Sequence, residues 1–476
     1  DLFPFLRSAG LSLEKERFDK ATFKGKELGL NIAPLLITKA GNVRLEEIGD
    51  YKKELKGVQK PVRTEIIEPF KKEQFRSPDF EEKKLGGNPE IINGYLAFNG
   101  ADDGYRQVDP QIAVGGNYVF HGTNTGLYIY DKEGNIIDGM SQNGFRGGID
   151  PKIFFDPHNR VFGFDLWVYW DSLKTKPVHI SVSQTEDPTA GWNIYSVPAP
   201  GGVDGGGIGF SKKWIGYSFP GGAENTFVLK MDDVIAGKAT KAYHFEGSLG
   251  HPVFTQDDIE DLYFFTIRRD SYILTKITED NNGDPVAELV ASKKHNLEHF
   301  GRPPRSPQKG TEQLTASGDR NPKNLVIQNG YLWFSQTVNV DDRAAVQWHQ
   351  LKLDGSTVQS GLISHEKNSY IQTTIGVNKK NDVVIGFQET GPDMFISPRF
   401  AYRYANDPEG EIREIVSLGE GKGATDGVSW GDYSGTTVDG DNLLDIWTIQ
   451  SITSEKGRGE TVIAKVPFGK KKKSGK

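Results

Sequence analysis

Val108-Asp109-Pro110-Gln111-Ile112 and, forty-one residues on, Ile149-Asp150-Pro151-Lys152-Ile153 are two statements of one phrase. The first opens a run that closes at Tyr130-Asp131. The second closes at Tyr169-Trp170-Asp171. Each consists of a polar opening, an apolar strand, a turn and a second, aromatic strand. Self-similarity at this period marks a solenoid, a propeller or an array.

Working outward, weaker echoes follow. The third begins near Asp204 and runs through Gly207-Ile208-Gly209-Phe210 to Trp214-Ile215-Gly216-Tyr217. The fourth opens at His251-Pro252 and reaches Leu262-Tyr263-Phe264-Phe265. The fifth opens at Asn321-Pro322 and reaches Tyr331-Leu332-Trp333-Phe334. The sixth opens near Tyr370 and reaches Val383-Val384-Ile385. The seventh opens at Trp430-Gly431-Asp432-Tyr433 and reaches Leu444-Asp445-Ile446-Trp447. Starts roughly 41 to 70 residues apart suit four-stranded blades with loop insertions. The reading is an all-β, seven-bladed β-propeller over residues 91–468. It is preceded by an irregular, partly helical arm (1–90) and followed by a basic tail (469–476). Ile91 to Phe98 reads as a strand donated early to close the ring.

Composition agrees. The 476 residues include 56 Gly, and 11% are aromatic, which favours a sandwich, barrel or propeller. No apolar run reaches the roughly 18 residues of a membrane helix. The absence of cysteine excludes disulfides, thiolate metal sites and Cys nucleophiles. With a first residue that is Asp, it points to an exported protein, periplasmic or extracellular.

Residues 1–90 carry 18 basic and 16 acidic residues, with no Trp and no His. Ser12 to Phe18 reads as helical, and Pro61, Pro69, Pro78 and Pro89 break the later part into extended pieces. Such an arm packs along the propeller or along a partner. Residues 91–468 carry a net charge of −14, and the tail holds five lysines. An acidic body with basic ends argues against nucleic acid, whose binding needs a basic stripe.

Three segments carry a family likeness: Asp109 to Val119, Asp150 to Val161, and Trp430 to Asp439. Together they resemble a group of secreted bacterial propeller proteins, loosely sialidase-like, over about residues 100–468. The resemblance implies the fold and an exported protein. It implies no activity, because no Ser-x-Asp-x-Gly-x-Thr-Trp box is present and no sialidase residue maps onto the chain.

In a propeller, the loop leading into each inner strand lies at the mouth of the channel. That places Arg106, Asp109, Arg146, Asp150, Asp204, His251, Arg320, Tyr370, Trp430, Asp432 and Tyr433 near one rim. In a glycan-active enzyme, Arg146, His251, Arg320 and Tyr370 would supply carboxylate pairing and proton transfer. Arg106, Asp109, Asp150, Asp204, Trp430 and Asp432 would bind. The architectural alternative is that Asp in the Asp-Pro openings accepts backbone N–H groups blade by blade.

His121 reads as packing between blades. Asp280 to Asp284 and Asp439 to Asp445 are partial calcium-loop patterns that suit hairpin turns better. Ser292 to Arg320 reads as a long loop. No cofactor or metal motif stands out. Two functions follow. One is a non-catalytic scaffold that organises a larger assembly through protein partners bound by the arm and tail. The other is a lyase or hydrolase acting on acidic glycans at the mouth.

Overall fold

The computed structural model describes residues 36–37, 43–44, 57–75, 86–101, 107–145, 148–168, 176–199, 206–218, 226–295, 297, 299, 301–425 and 430–468. The chain divides into two units, Asp1–Lys53 and Glu54–Lys476. In the first, Leu36–Ile37 pairs antiparallel with Val43–Arg44.

The second unit is a β-propeller. Its strands alternate apolar residues on a period of two and turn tightly at Gly and Asn with positive φ, as at Asn117, Asn329 and Gly330. Five sheets have the make-up of a blade. The first holds Gln111–Gly115, Tyr118–Gly122, Gly126–Asp131 and Ile136–Ser141. The second holds Ile149–Asp156, Val161–Trp167, Lys176–Ser183 and Trp192–Ala199. His251–Pro252, Leu262–Ile267, Ser271–Glu279 and Pro285–Lys294 form the third. Ser369–Val377, Val383–Gly391, Met394–Arg403 and Glu414–Ser417 form the fourth. The fifth holds Gly435–Val438, Ile446–Thr453 and Gly459–Val466.

Seven separate blades, expected from the sequence, do not form; there are five. The third and fifth repeat units belong instead to one ten-stranded sheet. The cause lies in the inner strand of the fourth unit, which divides at buried Val253. Its first half, His251–Pro252, pairs within its own blade. Its second half, Phe254–Thr255, lies parallel between Gly207–Phe210 and Leu325–Gln328 and bonds to both. Near the axis the inner strands come close enough to pair with each other. Phe154 and Phe210 stack there at 4.5 Å, with Phe254 beside them. Repeats in a sequence count units of chain, not hydrogen-bonded sheets.

The ring closes as its chemistry demands. Tyr95–Asn99 adds antiparallel to Gly459–Val466, joining the early chain to the last blade, and Gly87–Ile92 adds outside it. The remaining described arm is extended, not helical. The α-helix among the described residues is the single short one at Met231–Ile235, and Ser12 to Phe18 lies outside them.

That arm forms a belt running backwards through the repeats. Val58–Gln59 pairs with the outer strand of the third blade. Arg63–Ile67 pairs with Thr240–Phe245 of the ten-stranded sheet, and Phe70–Lys72 with Trp192–Ala199 of the second blade. His244 pins it. Arg63 Nη2 lies 3.0 Å from His244 Nδ1 and can only donate, so Nδ1 accepts and Nε2–H is given to Glu65 at 2.7 Å. Phe75 then enters the core. Its N–H bonds Thr189 O at 3.1 Å, and its ring packs on Phe120, Phe145 and Trp192.

The region Ser292 to Arg320 is more ordered than a loop. Ser306–Gln308 and Thr311–Thr315 form a hairpin, and Gln308 exchanges two bonds with the Thr425 backbone.

Phe75 is fully buried at the end of the belt, whereas Ile66 on the belt is exposed. Phe75→Ala is expected to lower stability by about 3–5 kcal/mol in urea unfolding. Ile66→Ala should stay within about 0.5 kcal/mol of the parent.

Candidate functional site at the propeller mouth

The Asp-Pro phrases end in an unusual backbone. Asp109 precedes an inner strand, Asp150 and Gln372 lie near the start of two others, and all three have left-handed φ, at 45°, 58° and 52°. Non-glycine residues pay for this conformation and keep it only where their surroundings over-determine it. The strands of Asp150 and Gln372 also slip register there, between Ile149 and Lys152 and between Ile371 and Thr374.

The surroundings are a polar knot across four blades, the first, second, fourth and fifth. Asp109 is buried. Its Oδ2 accepts from Asn124 Nδ2 at 2.6 Å, and its Oδ1 accepts the Asp432 N–H. Asn124 Oδ1 accepts the Asp150 N–H at 2.8 Å, so one amide ties both Asp-Pro openings together. Asp150 Oδ2 accepts Trp167 Nε1–H at 2.7 Å. Asp165, also buried, accepts the Lys152 N–H at 2.9 Å. Gln372 donates to Gly431 O, Gln111 donates to Ser434 O, and the Ser434 hydroxyl donates back to Gln372 O.

Beneath lies an ionisable core. The Lys152 ammonium is buried over the Tyr433 ring, with no hydrogen-bond partner for Nζ. Burial, and then the charge of Lys323, hold its pKa well below the usual lysine value. Burial, then the charges of Asp150 and Asp432, push Asp109 up to about 7. Burial also pushes Asp165 up to about 7, against the pull of Lys152. The Tyr433 phenol is raised well above its ordinary value by burial, and donates to Pro151 O at 3.3 Å.

Among the sequence candidates, the structure brings together Asp109, Asp150, Asp432 and Tyr433. Asp432 is exposed and Asp150 half-buried. Arg106, Arg146 and Asp204 lie outside the described residues. Arg320 is exposed in its loop, and His251 is half-buried opposite Phe265. Trp430 and Tyr370 point into the core rather than the mouth. Trp430 packs with Ala344, Ile371 and Ile396, and Tyr370 with Trp333 and Phe387. Burial and Glu389 raise the Tyr370 phenol to about 12. Sequence reasoning assigned no role to Asn124, Lys152, Asp165 or Gln372. Lys152 carried a signal, since a cation stands inside an inner strand where Gln111 stands in the previous unit.

The turn-like acidic clusters resolve as turns. Asp441 accepts from Lys132 Nζ, Arg160 Nη2 and two backbone N–H groups, joining the turns of three blades. Those partners hold its pKa far below the carboxylate range, against the burial that raises it. Asp280 accepts the N–H groups of Asn282 and Asp284. Among the described residues no three His, Asp or Glu gather as metal ligands, and no helix is long and apolar enough to cross a membrane. His121 packs between Tyr128 and Tyr130.

No protein family and no curated protein matches the chain in sequence. Solved structures resemble it distantly. A protein of unknown function from Dyadobacter fermentans is 12% identical, covering 87% of this chain and all of that one, with a TM-score of 0.38. The α-L-arabinofuranosidase Arb93A of Fusarium graminearum is 9% identical over 86% of this chain and 99% of its own, at 0.33. A subtype N10 neuraminidase-like protein of A/little yellow-shouldered bat/Guatemala/060/2010 is 11% identical over 69% and 100%, at 0.34. The propeller assignment rests on the strand pairing above.

The raised carboxyls make stability depend on pH. Asp165 binds a proton more tightly folded than unfolded between about pH 4 and 7, so its ionisation opposes folding as pH rises through that window. Asn keeps the acceptor for Lys152 N–H without the charge. Asp165→Asn should therefore match the parent near pH 4 and gain on it by up to about 4 kcal/mol at pH 8. Urea unfolding at both pH values checks this, and a constant difference would contradict it.

Proposed function

We propose that the chain is a non-catalytic propeller scaffold that organises a larger exported assembly, periplasmic or extracellular. The observation that supports this most is the use to which the mouth puts its polar groups. Asp109, Asn124 and Gln372 spend their hydrogen bonds on the backbones of neighbouring blades, and Lys152 and Asp165 are sealed beneath them. Such groups lock the ring instead of meeting a substrate. Partner binding falls to the ends of the chain: residues 1–53, which form a separate unit, and the basic tail 469–476. The tail's lysines suit an acidic protein surface, a contact that weakens with salt.

One observation favours a second reading. Exposed Asp432 and half-buried Asp150 lie beside Asp109, whose carboxyl, like that of Asp165, is pushed up to about 7. Carboxyls whose environments set their protonation apart are the working parts of glycan hydrolysis. In that reading the mouth takes an acidic glycan, as a hydrolase or lyase.

The strands Val58–Gln59, Arg63–Ile67, Phe70–Lys72, Gly87–Ile92 and Tyr95–Asn99 belong to the propeller's own sheets, so a fair truncation must spare them. The full chain, residues 54–476 and residues 54–468 are each used to capture material from the native cell envelope. A stoichiometric protein that the full chain retains and the 54–468 form loses is the expected result. Equal capture by all three forms, or none, removes the scaffold reading. Cleavage of a uronic-acid polysaccharide that Asp150→Asn and Asp432→Asn abolish would replace it with the second.

A further inference from the structure

The belt turns alternate side chains in opposite directions. From 59 to 69 its odd-numbered residues face the propeller, with Arg63 and Glu65 gathered on His244 and Ile67 buried. Its even-numbered residues, from 58 to 70, are all exposed. Twelve large hydrophobics are exposed among the described residues. Four belong to this one row: Val58 at 63%, Val62 at 54%, Ile66 at 72% and Phe70 at 47%. Leu289 and Val290 border Val58, whose strand pairs with theirs. Of the four, Ile66 lies in the edge strand Arg63–Ile67, Val62 just precedes it, and Val58 and Phe70 lie in the flanking short strands. Exposed apolar residues at and beside a sheet edge mark an interaction surface.

The order of the row indicates what covers it. Read in sequence, the outward residues are Val58, Lys60, Val62, Thr64, Ile66, Glu68 and Phe70. The row is symmetric about Thr64: apolar faces apolar, and the cation answers the anion. Laid antiparallel on a second copy about a two-fold axis through Thr64, Val62 meets Ile66, Lys60 meets Glu68 and Val58 meets Phe70, each pair twice. The inward residues Arg63 and Glu65 fall opposite one another as well. Self-complementarity of this sort is what an isologous contact requires, because the same patch serves both subunits. The strand Arg63–Ile67 ends the ten-stranded sheet, and its outer edge carries no other strand among the described residues.

We propose that two copies of this chain associate through the belt, Arg63–Ile67 of one pairing antiparallel with Arg63–Ile67 of the other. The contact involves neither chain end nor the mouth, so it stands whichever reading of function holds. A single strand pairing is at the small end of interface sizes, under about 1,200 Å² in total. The dimer is therefore in concentration-dependent equilibrium with monomer. Lys60 already lies 3.7 Å from Asp280, an exposed pair that costs little to exchange.

The complementarity gives a test that other contacts would not pass. Sedimentation of the full chain over a concentration series measures the dimer. Lys60→Glu alone, or Glu68→Lys alone, sets like charges opposite and should weaken it about tenfold or more. The double reversal restores both pairs in swapped form and should return the affinity to within about threefold of the parent. The chain has no cysteine. Residues opposite one another in an antiparallel pair have Cα atoms about 4.5–5.5 Å apart, within disulfide reach. Thr64→Cys should therefore cross-link to a dimer on mild oxidation, far faster than Asn282→Cys in an exposed turn. A chain that stays monomeric at every concentration overturns the proposal. So does a double reversal that leaves the single-variant weakening in place, or a Thr64→Cys that cross-links no faster than the control.

Discussion

The hydrogen bonds between Tyr95–Asn99 and Gly459–Val466 hold the ring shut, and the rest of the propeller depends on them. A row of sheets packed face to face leaves two end sheets with one bare apolar face each. Only closure gives every face a neighbour. Here closure joins residues more than 350 positions apart. Buried Phe98 makes the joint apolar as well as hydrogen-bonded, with its ring on Tyr130 and Trp447. Further ties reinforce it at both ends of the inner strands. At the mouth, Asp109 takes the Asp432 N–H, and at the opposite turns Asp441 takes Lys132 and Arg160. First, second and fifth blades are thus bound by charge-assisted bonds in addition to their strand pairing.

The mouth carries a cost that the closure offsets. Three non-glycine residues hold left-handed backbone, two carboxyls and an ammonium are buried, and the ammonium has no hydrogen-bond partner. Each of these opposes folding by itself. They occur together because the loops that lead into the inner strands converge on the axis, where room for side chains is least. Polar groups that bond sideways to the next backbone serve there better than apolar ones, which would leave those backbone groups unsatisfied.

Much of this was legible in the sequence. The doubled Asp-Pro phrase marks where inner strands begin, and Asp109 does accept a backbone N–H, that of Asp432, whereas Asp150 accepts the Trp167 indole N–H. The early apolar strand does close the ring. What the sequence hid came from spatial neighbours. Trp430 and Tyr370 share the rim's spacing, but they turn into the core, and no period of two distinguishes inward from axial at or before a strand's start. The blade count failed because Phe254–Thr255 pairs outside its own unit, across a distance that repeat spacing does not encode. Asn124 and Asp165 gave no warning, since a single amide or carboxylate in a turn or strand has no pattern. The belt's run of alternation was readable as extended chain, but its backward path through the repeats was not.

That backward path sets a timetable. The chain is made from its amino end, so the belt exists before any sheet it must join. Arg63–Ile67 waits for Thr240–Phe245, Val58–Gln59 waits for Ala287 and Glu288, and Tyr95–Asn99 waits for Gly459–Val466. Through most of synthesis a sticky, edge-forming segment has no legitimate partner. A nascent chain built this way needs shelter until its final blade arrives, and it acquires its finished surface all at once.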